Sequence, residues 1–91
     1  MADVIVTIKV MPESPEIDLK KIEHAAHKLI NAHDAILGKV EVKPVAYGLN
    51  MLNLIIVMDE AKGSTEELEK KIAAIEGVNS VDVTDVRRAV G

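Results

Sequence analysis

The chain has 91 residues, 48% of them hydrophobic and 29% charged, which suits one small domain with an economical core and argues against disorder. A net charge of −4 opposes general nucleic-acid binding, and one Tyr with no Phe or Trp leaves almost no ring on which a base could stack. No cysteine is present, which removes disulfide scaffolds, thiolate metal sites and cysteine nucleophiles together.

The N-terminus carries no basic region, and its apolar stretch is interrupted by Lys9 and Pro12, unlike a signal peptide. No apolar run approaches the ~20 residues that span a bilayer. Residues 1–91 are therefore expected to form a single soluble, cytoplasmic domain.

Val4, Val6, Ile8 and Val10 alternate with Ile5, Thr7 and Lys9, the period of a strand. Pro12 and Pro15 end that ladder. Asp18 is a candidate N-cap for a helix over about Leu19–Asn31, with Leu19, Ile22, Ala26, Leu29 and Ile30 on one face. Val40 and Val42 alternate with Lys39, Glu41 and Lys43 in a second strand that stops at Pro44. Gly48 supplies a turn, and Leu49–Met58 reads as a third, strongly apolar strand pairing antiparallel with the second.

Ser64-Thr65-Glu66-Glu67 matches a capping box, in which the Ser64 hydroxyl and the Glu67 carboxylate close the first turn of a second helix. Leu68, Ile72 and Ile75 form its buried stripe, and Gly77 is expected at C′. Val78, Val81 and Val83 open a fourth strand reaching about Arg87. The order β-α-β-β-α-β predicts an α+β, ferredoxin-like arrangement, a four-stranded antiparallel sheet with two helices on one face. The open face is expected to show Ile5, Thr7, Lys9, Asn53, Ile55, Val57, Asp82 and Thr84.

Chemistry is sparse. His24 and His27 share a helix face, but a zinc site needs a third fixed ligand, and a solvated face with Glu23 and His27 four apart is the preferred reading. The 15 carboxylates form no acid/base constellation, and no nucleophile elbow, P-loop or zinc-protease motif occurs. No enzyme and no cofactor is expected. Two places stand apart. Tyr47, the only aromatic, sits beside Gly48 at a hairpin tip, where it either covers the core's end or anchors a partner. Arg87 and Arg88 at a strand end are either a solvated tail or cations that reach an anionic site on another molecule.

Val10-Met11-Pro12-Glu13-Ser14-Pro15, Pro44-Val45-Ala46-Tyr47-Gly48-Leu49 and Asp82-Val83-Thr84-Asp85-Val86-Arg87-Arg88, with the opening Met1-Ala2-Asp3-Val4, resemble the archaeal translation elongation factor 1-beta family from Met1 to about Ala89. The resemblance implies a ferredoxin-like guanine nucleotide exchange factor for translation elongation factor 1-alpha, the GTPase that delivers aminoacyl-tRNA. In the similar eukaryotic domain, a loop aromatic and a C-terminal lysine press on the GTPase, the lysine near the Mg²⁺ of the nucleotide. Matching motifs put Tyr47, with Gly48, at the aromatic position and Arg88, with Arg87 beside it, at the basic one. Arg replaces Lys there, and its broad planar guanidinium also suits the GTPase surface or a carboxylate that supports the metal. A ferredoxin-like small-molecule regulatory module or a structural interaction module are the alternative readings.

Overall fold

A computed structural model describes residues 3–60 and 65–88. Strand β1 (Asp3–Pro12) is followed by helix α1 (Leu19–Ala32), strand β2 (Ile36–Pro44), strand β3 (Asn50–Asp59), helix α2 (Glu66–Ala73) and strand β4 (Val78–Arg88). A 3₁₀ turn, Ala46–Gly48, caps the β2–β3 hairpin. The sheet order is β2-β3-β1-β4 with every pair antiparallel, so each helical crossover skips one strand. This is the predicted split β-α-β arrangement.

Period-2 alternation decides which residues meet the helices. Val6, Ile8 and Val10 from β1 and Leu52, Leu54, Ile56 and Met58 from β3 are buried against Ile22, Ala26 and Ile30 of α1 and Leu68 and Ile72 of α2. The two central strands thus supply most of the core, because only they have a neighbour on both sides.

Helix α1 begins as expected. The Asp18 carboxylate accepts from the Lys20 backbone N–H at 2.9 Å. Its end is a Schellman motif, in which Asp34 N–H donates to Asn31 O at 3.1 Å and Ala35 N–H to Ile30 O at 3.0 Å. The left-handed C′ residue is Asp34, at φ 59°, where glycine is usual. Ala35 is then buried and starts the chain back across the sheet.

The expectations are corrected at two points, the start of β2 and the place of Gly77, while the capping box falls partly outside the described residues. Strand β2 starts at Ile36, earlier than its pattern indicates, because Gly38 is an unpaired bulge residue between Leu37↔Ile56 and Lys39↔Ile55, and it breaks the alternation. Helix α2 is preceded by Thr65, which makes no side-chain capping bond and whose hydroxyl donates to Glu69 Oε2 at 2.9 Å. The capping-box residue Ser64 lies outside the described residues. Gly77 is not the C′ residue either, since α2 ends at Ala73. At φ +93° it makes the turn into β4, and its carbonyl accepts from Glu13 N–H at 2.8 Å.

Gly77 also has no room for a side chain: an added Cβ would stand 2.9 Å from Ile17 Cγ2. Gly77→Ala is therefore expected to cost about 2 kcal/mol, lowering Tm by roughly 10 °C. Gly48 has φ +76° but nothing within 4 Å of an added Cβ. Gly48→Ala is expected to cost about 1 kcal/mol, the backbone strain alone. Thermal melts giving equal losses would remove the Ile17 contact from the account.

Candidate functional site

The hairpin end is closed by backbone bonds. Pro44 lies opposite Asn50, Val45 N–H donates to Leu49 O at 2.7 Å, and Leu49 N–H donates to Ala46 O at 3.3 Å. The left-handed Gly48 lets a three-residue turn reverse the chain, which puts residue 47 at the apex. The Tyr47 side chain lies outside what the structure describes. Its neighbours Val45, Ala46 and Gly48 are exposed.

The arginines belong to the opposite end of the sheet. Strand β4 pairs Ile8 with Val83 but Thr7 with Asp85, leaving Thr84 as an unpaired bulge residue. The Thr84 hydroxyl donates to Thr7 O at 3.4 Å. This extra residue reverses the phase of everything beyond it. Uninterrupted alternation from Val83 would put Arg87 on the helix side and Arg88 on the open face. With the bulge, Arg87 pairs with Ile5 on the open face, and Arg88 pairs with Val4 on the helix side.

Each guanidinium has an acidic neighbour. Arg87 Nε lies 2.8 Å from Asp85 Oδ2, two residues earlier on the same face. Arg88 Nη2 donates to Glu60 Oε1, immediately beyond β3. Because β1 lies between β3 and β4, the Arg88 side chain crosses the start of β1 to make this contact. No sequence signal marks the Glu60–Arg88 pair, whose members are 28 positions apart. For Arg87 a cue was present, since Asp85 is two residues away on a strand.

Hairpin and arginines do not form one patch. Arg88 is level with Val4, and Val4 with Met58, whereas the hairpin begins at Asn50. From Met58 to Asn50 at about 3.3 Å per residue, the two ends are roughly 26 Å apart.

The open face carries the expected set with one change. Ile5, Thr7, Lys9, Ile55 and Val57 are half-buried, Asn53 is buried, and Asp82 is exposed. Asp85 holds the paired position beside Thr7, and Thr84, expected on this face, is the unpaired bulge residue. Successive rows read Ile36–Val57–Ile5–Arg87, Lys39–Ile55–Thr7–Asp85 and Glu41–Asn53–Lys9–Asp82. His24 and His27 are exposed on α1, and no group of three metal-ligating side chains occurs among the described residues. No helix among them is long and apolar enough to cross a membrane.

Comparison with known proteins adds a family and a fold. The EF-1 guanine nucleotide exchange domain matches residues 5–89. An elongation factor 1-beta from Methanothermobacter thermautotrophicus is 44% identical over 88 residues, covering 97% of this chain and 98% of that protein. Elongation factor 1-beta of Staphylothermus marinus is 39% identical over 89 residues, covering 97% and 98% respectively. Among solved structures, the ACT domain from GTP pyrophosphokinase of Chlorobium tepidum superposes with a TM-score of 0.61 at 18% identity, over 89% of this chain and 97% of that one. The C-terminal domain of the MgtC protein from Mycobacterium tuberculosis gives 0.61 at 16% identity, over 98% and 88%. At such identity these two likenesses concern the fold alone.

Proposed function

The chain belongs to the EF-1 guanine nucleotide exchange domain family, and from that membership we propose that it promotes GDP release and GTP reloading on translation elongation factor 1-alpha in the cytoplasm. The carrying observation is the match over residues 5–89, supported by relatives named elongation factor 1-beta across nearly their full lengths. Residues 1–91 act as one exchange domain.

GDP on a GTPase is held largely through its phosphates, with Mg²⁺ neutralising part of their charge. A docked protein speeds release only by binding the nucleotide-free state more tightly than the loaded one. Each tenfold acceleration requires about 1.4 kcal/mol of lowered barrier. No bond is made or broken, and the factor supplies positioned side chains rather than a cofactor.

On this reading Tyr47, backed by the turn at Gly48, anchors one end of the domain on the GTPase. Arg88, with Arg87 beside it in sequence, presents a fork of donors at the other end, suited to a carboxylate that supports the metal or to the metal's phosphate surroundings. The roughly 26 Å between the ends favours a macromolecular partner, since no small ligand reaches both.

The direct test is release of a fluorescent GDP analogue from the matching elongation factor 1-alpha. The protein at catalytic concentration should accelerate release and leave the GTPase reloaded when GTP is present. No acceleration at saturating concentration would discard the exchange reading.

A further inference from the structure

We infer that Glu60 is a positioning residue for Arg88, whose carboxylate holds the guanidinium across the start of β1 and competes for it with the partner's anion. This rests on the exchange function proposed above.

Three observations carry it. Arg88 lies on β4 and Glu60 just past the end of β3, with β1 between those strands, so an extended arginine is required to join them, and while the contact is made it sets where the guanidinium points. Both side chains stay open to water, at 70% and 42% relative exposure. A pair so exposed opens readily and contributes little to the fold. Finally, the Arg87 guanidinium is held on the other face by Asp85, so of the two arginines only Arg88 lies on the helix side of this sheet end.

Glu60 offers the oxygen chemistry that a partner's carboxylate or phosphate would offer. While Nη2 is engaged with Glu60, only part of the population presents a free fork. Apparent affinity falls by that fraction. The carboxylate therefore acts on the free protein, so its effect belongs to the concentration giving half-maximal acceleration and not to the maximal rate.

Glu60→Gln keeps shape and removes the charge. It should lower the half-maximal concentration about two- to fivefold at low salt, the range open to an exposed pair, with the maximal rate unchanged. The gain should vanish near 0.5 M salt, where such charges are screened. It should also vanish in an Arg88→Ala background, which separates competition for Arg88 from general repulsion of an acidic partner. In parallel, side-chain NMR of the free protein should show slowed rotation of the Arg88 guanidinium, lost in Glu60→Gln.

A mobile Arg88 guanidinium in the wild type would overturn the inference. So would a Glu60→Gln effect of zero, of opposite sign, or of equal size without Arg88. These results leave exchange itself standing. Failure of the wild type to accelerate release, with the ion pair present by NMR, would instead overturn the exchange reading and the competing role with it.

Discussion

Arg88→Ala and Tyr47→Ala should each lower exchange efficiency by about tenfold or more, and the double variant should lose the product of the two factors. Well-packed aromatic and arginine anchors typically carry 2 kcal/mol or more when truncated, about thirtyfold. The multiplicative expectation follows from the sheet: one residue belongs to the hairpin beyond Asn50, the other is level with Met58. At roughly 26 Å they share no neighbour, and independent sites add in free energy. Arg87→Ala should change efficiency by less than about threefold, because its guanidinium lies on the other face beside Asp85. Both nucleotide-release kinetics and circular dichroism are needed, the second to confirm intact folding. A double variant no worse than either single one would mean the two ends act as one contact, which this register does not permit. An Arg87 effect exceeding that of Arg88 would place the partner on the open face.

Ile8→Ala should destabilise the domain by about 3 kcal/mol, dropping Tm by roughly 15 °C. Ile8 is fully buried in the central strand, paired with Leu54 on one side and Val83 on the other. Truncation leaves a cavity that neither neighbour can fill, since both are held by their own strand pairing. Ile36→Ala, on a side chain 66% exposed at the sheet margin, should stay within about 0.5 kcal/mol. Urea titrations of the two variants check the contrast. A loss below about 1 kcal/mol at Ile8 would show that the core collapses around the deletion, contrary to close packing between sheet and helices.

Much of this architecture is local information. The alternation of Val4, Val6, Ile8 and Val10 sets the buried face of β1, and the spacing of Ile22, Ala26 and Ile30 sets that of α1. Asp18 caps its helix because an Asx side chain two residues before a free N–H needs no tertiary help. Where reading failed, a longer-range contact had overridden a local preference. Gly77 resembles a helix terminator, yet its position answers to Ile17 and Glu13 in the segment after β1. Gly38 hid the start of β2 because a bulge is defined by the partner strand and leaves only a broken period behind.

The sequence by itself determined the order of elements, the helix-facing set of the central strands and, through the Pro44–Leu49 and Asp82–Arg88 motifs, the family and the residues expected to meet a partner. Only the tertiary structure decided where those residues stand. Antiparallel pairing through β3 and β1 sends the hairpin to one end and Arg88 to the other. The Thr84 bulge then gives Arg87 to the open face and Arg88 to the helix side, within reach of Glu60. Side-chain phase has a period of two, so one unpaired residue reverses it, and whether a residue is unpaired is a property of two strands together.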